Sequence, residues 1–108
     1  MSIDENYEVV FTEECRKEIR KVYKYIKENL YANNAAIDLM NKIEKVISNL
    51  ASTPKMYVEI NGYEGLKRNY RRIIIDNYVL LYMVDEEKKQ VYVSHMYYGG
   101  MDYLSNIF

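Results

Sequence analysis

The chain is poor in the residues that most small enzymes build on: no tryptophan, one cysteine, one histidine, one proline and four glycines in 108 residues. Each scarcity closes off a class of chemistry. A lone thiol, Cys15, cannot form an internal disulfide, and with His95 as the sole imidazole no four-ligand structural zinc site of the usual kind can be assembled. The glycines, Gly62, Gly65, Gly99 and Gly100, do not open a helix in the manner of a phosphate-cradling loop. Nucleotide-driven and zinc-driven enzymes are therefore not expected, and no cofactor or metal is. No apolar run approaches the roughly 18 residues needed to span a membrane. Met1 to Glu8 holds three acidic residues and no basic one, the reverse of a secretory signal's positive start, so the expected location is the cytoplasm.

What is present fits one domain over residues 1–108: 49% apolar residues supply one core, and 29% charged residues keep the surface wet. The net charge of −1 exerts no global pull on nucleic acid. Its distribution is uneven. Lys55 to Arg72 contains five basic and two acidic residues, whereas Asp76 to Phe108 contains two basic and five acidic. Lys67, Arg68, Arg71 and Arg72 fall within six positions, a patch able to bind phosphate; a solvated strand edge accounts for four charges equally well. Thirteen tyrosines, with an apolar body and a polar tip, suit a half-buried sheet, a partner surface or base stacking.

Periodicity orders the chain. Tyr7 to Phe11 is rich in β-formers and reads as a first strand. Thr12 is a natural N-cap, followed by Glu13 and Glu14 where the helix dipole favours negative charge. Cys15, Ile19, Val22, Ile26 and Leu30 then form one stripe of a helix over Thr12–Leu30, with Lys17, Arg20, Lys21, Lys24 and Lys27 on the opposite face. A short connector, Tyr31 to Asn34, offers an asparagine cap to a second helix striped by Ala36, Met40, Ile43, Ile47 and Leu50, which Pro54 ends. Lys55 to Gly65 reads as irregular. Three strands follow: Arg71 to Asp76, the uninterruptedly apolar Tyr78 to Val84, and Gln90 to Tyr98. Asp76-Asn77 makes a tight hairpin, and Asp85 to Lys89 a longer polar one. The expectation is an α+β fold, β-α-α-β-β-β, with a mostly antiparallel, twisted four-stranded sheet and an N-terminal helical hairpin packed on one face. The first strand is expected at a sheet edge.

That order, with particular residues, resembles the RelE/ParE toxin superfamily over Tyr7 to about Leu104. The likeness is carried by Phe11-Thr-Glu-Glu14, by a hairpin closing at Ser52-Thr-Pro54, and most by Tyr70 to Tyr82 followed by Val84 to Val93. The resemblance implies a type II toxin, a growth inhibitor bound and neutralised by a cognate antitoxin in a hetero-oligomer, acting on DNA gyrase or on messenger RNA in the ribosome. In the RNA-cleaving branch, the nucleotide's 2′-OH attacks the adjacent phosphate without metal, and arginines on the central and final strands support the developing charge. This chain departs from that pattern. The central-strand arginine is replaced by Val79, and the two arginines after the tail glycine by Gly100 and Met101. The last-strand arginine position falls on His95 or Met96.

The candidate catalytic residues are therefore His95, Arg71, Arg72 and Tyr98; Lys67, Arg68 and Arg71 are the candidates for nucleic-acid contact. Arg71 and Arg72 are adjacent on a strand and must point to opposite faces, and a structural ion pair explains either as well as a substrate contact. His95 supplies the imidazole, the side chain most often used for proton transfer, and shares a face with Tyr97, which suits an acid–base couple or a hydrogen-bonded structural histidine. Tyr98 and Tyr103 can serve the family's tyrosine role or pack the tail. Three readings follow: a ParE-like, non-nucleolytic toxin aimed at gyrase, favoured by the missing arginines; a RelE-like ribosome-dependent endoribonuclease; and a binding-only homologue.

Overall fold

In the computed structural model, residues 6–29, 32–60 and 70–99 are described. The elements run β1 (Glu8–Phe11), α1 (Glu13–Glu28), α2 (Asn33–Ser52), β2 (Val58–Glu59), β3 (Arg71–Ile75), β4 (Tyr78–Asp85) and β5 (Gln90–Tyr98).

Local chemistry sets the helix ends. Thr12 is extended, and its Oγ1 accepts the Cys15 N–H at 3.1 Å, which satisfies one of the first-turn donors that a helix leaves unpaired. The end of α2 is held by Thr53, whose N–H and hydroxyl both donate to the Asn49 carbonyl, at 2.8 and 2.9 Å. The start of α2 differs from expectation. Its N-cap is Ala32 and has no side-chain cap bond, because the helix takes in Asn33 and Asn34 as its first turn.

The sheet order is β1-β5-β4-β3-β2. The three late strands pair antiparallel as neighbours, while β1 lies at one edge, parallel to β5. The fold is α+β as expected, and the sheet is mixed. A further strand completes it: β2 pairs antiparallel with β3, through Val58 with Arg72 and Glu59 with Arg71. Two residues are too few to leave a periodic trace in sequence, so the segment read as irregular. The Asp76-Asn77 turn closes the β3–β4 hairpin, with Asp76 at φ 53° and its carboxylate accepting from Lys42 Nζ of α2 at 2.8 Å. The β4–β5 loop ends at Lys89, φ 51°, and Asp85 Oδ1 accepts the Lys88 N–H inside it.

Alternation along the strands divides the sheet between two apolar clusters. Beneath the helices, Cys15, Ile26, Leu39, Ile43 and Leu50 meet Ile73, Ile75, Leu80, Tyr82, Val91, Val93 and Met96. On the other face, Val79 and Leu81 pack with Ile60, Tyr70 and Tyr97. This is why β4 is apolar without a break: both of its faces are covered. The buried Tyr82 keeps its hydroxyl satisfied by donating to the Pro54 carbonyl at 2.7 Å, which ties the centre of the sheet to the end of α2.

Candidate functional site

One irregularity in β5 aims the candidate residues. Leu81 faces His95 and Tyr82 faces Val93, so Ser94 is an extra residue in the ladder, a β-bulge. Its hydroxyl donates to the Leu81 carbonyl at 3.2 Å, and its own carbonyl accepts from the Thr12 hydroxyl at 2.9 Å. Before the bulge Val91 and Val93 point under the helices; after it Met96 does, leaving His95 and Tyr97 on the second face. A strand without the bulge would carry His95 into the core among the residues that follow Val93.

Beyond Phe11, β1 no longer covers β5, and the N-terminal half of α1 takes over that edge. Glu18 Oε1 accepts the Met96 N–H at 3.0 Å, filling the place of a strand partner, and lies 3.5 Å from His95 Nδ1. That second contact is an ion-pair distance without hydrogen-bond alignment, and His95 Nδ1 is a buried polar atom with no hydrogen-bond partner among the described residues. The imidazole stacks on Tyr97, with centroids 5.2 Å apart and planes 13° from parallel. Burial, then the negative charge of Glu18, pushes the Tyr97 phenol up to about 12. Burial also raises the Glu18 carboxyl, opposed by its bond from Met96 and by His95. At neutral pH, Tyr97 is therefore a proton donor and not a base. Arg72 reaches the same face from β3, since Arg72, Leu81 and His95 stand opposite one another across three strands. Two strand spacings separate the backbones of Arg72 and His95, about 10 Å.

The residues singled out in sequence do not all gather there. Arg72 and His95 share the second face. Arg71 faces the other way, beside Tyr82, and its guanidinium is occupied: Nη1 donates to the carbonyls of Tyr57 (2.8 Å) and Lys55 (3.2 Å), and Nη2 lies 3.5 Å from Glu59 Oε2. It clasps the chain between α2 and β2. Tyr98 is likewise on the helix side, paired with Tyr78 and set edge-to-face against it at 6.0 Å. Lys67, Arg68, Gly100, Met101 and Tyr103 lie outside the described residues. Val79, at the position where the resemblance expects the central-strand arginine, is 5% exposed in the second apolar cluster. Glu18 was not among the sequence candidates. It sits in an acidic-and-basic helix face, and only the bulge and the end of β1 bring it to His95. Among the described residues, no group of three or more His, Cys, Asp or Glu side chains is placed to hold a metal, and no helix is long and apolar enough to cross a membrane.

Comparison with solved structures returns the same architecture. The chromosomal ParDE toxin–antitoxin system of P. aeruginosa aligns with a TM-score of 0.67 at 10% identity, covering 87% of this chain and 97% of that one. The RelBE2 toxin–antitoxin complex of Mycobacterium tuberculosis aligns at 0.61 and 22% identity, over 86% and 98%. A double mutant of the E. coli toxin RelE in its free state aligns at 0.60 and 21% identity, over 94% and 93%. At such identities the likeness establishes the fold alone. No curated protein matches the chain in sequence. The family is established by the family model for the ParE toxin of type II toxin–antitoxin systems, which matches residues 9–103. With its helical hairpin, its late antiparallel strands and that match over nearly its whole length, the chain belongs to the ParE toxin family.

Proposed function

We propose that this chain is a growth-inhibiting toxin held silent by a cognate antitoxin, and that its action is ParE-like: it disables DNA gyrase and does not cut RNA. The observation that carries the reading is Val79. Metal-free cleavage through a 2′-OH builds negative charge on the phosphate, and one donor aimed at such charge is worth about a hundredfold in rate or more. Where nucleolytic relatives are expected to place an arginine, this chain buries a valine among Leu81, Ile60, Tyr70 and Tyr97. Among the described residues, Arg72 and His95 are the strand side chains on that face that can carry positive charge. The antitoxin partner is supported by structural relatives solved as toxin–antitoxin assemblies.

A second reading has an observation of its own. His95 stacked on the protonated Tyr97, with Glu18 behind it and Arg72 on the same face, offers a proton acceptor, a donor and a cation to a ribosome-dependent mRNA endoribonuclease. Expression of the chain without a partner separates the two. The proposal predicts that supercoiling and replication fail first, with messages intact, and that His95→Ala leaves the toxicity in place. Early loss of message integrity, abolished by His95→Ala, would establish the second reading instead. Unimpaired growth would identify a binding-only homologue.

A further inference from the structure

The outward face of α1 carries a concentration of charge that the candidate site does not use. Arg16, Lys17, Arg20, Lys21, Lys24 and Lys27 are all exposed and lie on successive turns away from the core stripe. They span about 17 Å of helix. Glu18 is the one acid between Arg16 and Lys27, and its carboxylate is turned to the Met96 N–H and His95. Among the described residues, Arg20 pairs with Glu13 at 3.8 Å, both groups about two-thirds exposed, and Lys27 lies over the Tyr23 ring at 5.9 Å. Like charges four residues apart, such as Arg16 with Arg20 and Lys17 with Lys21, repel and weaken the helix. A merely solvated face mixes signs, as the exposed face of α2 does with Asp38, Lys42, Glu44 and Lys45. An anionic partner would relieve the repulsion that remains on α1.

Exposed rings continue this face. Tyr25, 51% exposed, and Tyr98, 56% exposed, line a groove of about 450 Å³ with Lys21, Val22 and Tyr78. Tyr78 holds the Tyr98 ring edge-on. We propose that this surface binds single-stranded nucleic acid without sequence preference, its phosphates on the α1 cations and its bases stacked on Tyr25 and Tyr98. An acidic peptide would use the cations but not the rings. A duplex keeps its base faces stacked away from them. A single strand uses both. The surface lies across the sheet from Arg72 and His95, so its occupancy does not depend on which chemistry, if any, that face performs.

The test uses the full chain and fluorescence anisotropy with labelled 20-nucleotide oligo-dT and oligo-U, a duplex of equal length and a polyglutamate peptide. The single strands are expected to bind tightest. Raising salt from 50 to 200 mM should weaken them about a hundredfold, as neutralising about five phosphates of a single strand requires. Lys17→Glu/Lys21→Glu/Lys24→Glu should abolish binding. Tyr25→Ala/Tyr98→Ala should weaken it about tenfold or more and leave the salt dependence unchanged. All five side chains are exposed, and thermal melts of both variants separate lost binding from lost folding. Charge-reversed protein that binds like the parent, tyrosine-free protein that binds like the parent, or equal affinity for duplex or polyglutamate would overturn the proposal. Binding is read on purified components without gyrase, so its failure leaves the gyrase reading standing and the reverse is equally true.

Discussion

At the scale of single residues, two buried groups, the Tyr82 hydroxyl and the Cys15 thiol, tie stability to chemistry that can be measured. Tyr82 is fully buried, and its hydroxyl is the donor to the Pro54 carbonyl. Tyr82→Phe keeps the ring and orphans that carbonyl, so urea denaturation should show a loss of about 1–3 kcal/mol. Cys15 is fully buried, and burial, assisted by the negative charge of Glu18, pushes its thiol from 9.0 up to about 12. Above pH 9 the unfolded chain releases this proton while the folded chain keeps it, so stability falls as pH rises from about 9 toward 12 and is flat below 9 as far as this group is concerned. Tyr82 and Tyr97, both raised from 10.0 to about 12 chiefly by burial, steepen the fall above pH 10. Urea midpoints between pH 7 and 11 should show this profile, with the onset moved up by about one pH unit in Cys15→Ala. Native protein at pH 8 should also resist alkylation until it unfolds. Period-two alternation was enough to place His95 with Tyr97 and to set Arg71 apart from Arg72. The clasp made by Arg71 left no such sign, because two of its partners are backbone carbonyls, which no charge pattern records.

At the scale of elements, the helices were legible because each buries one stripe, and four-residue recurrence survives without any tertiary information. The late strands were legible for the same reason at period two. What the sequence concealed is where an element stops obeying its period. The Ser94 bulge shifts β5 by one residue, and β2 is only two residues long. Both features exist through pairing with a distant strand. Thr12 joins these local and distant terms: it caps α1 through Cys15 and holds the bulge through Ser94. Thr12→Ala should therefore cost about 1–2 kcal/mol, at the upper end for a cap, whereas Thr12→Ser should retain most of the stability. Chemical denaturation of the two variants measures the difference.

At the scale of the whole molecule, the five strands among the described residues present two apolar faces, one of which lies under the helical hairpin. The family pattern legible from Tyr70 to Val93 led to the right fold, since those strands form the sheet's centre. The candidate site was legible in part. Its cation deficit at Val79 could be read directly, whereas the approach of Glu18 depends on the shape of the sheet edge. The replacement of the central-strand arginine by the buried Val79 is the observation on which we propose gyrase, and not RNA, as the target. The most direct measurement is the supercoiling of relaxed plasmid by purified gyrase in the presence of the purified chain, beside a translating ribosome programmed with a defined message. Supercoiling is expected to be inhibited and restored by added antitoxin, while the message stays whole. Undisturbed gyrase together with a message cut at the ribosome would contradict the gyrase reading.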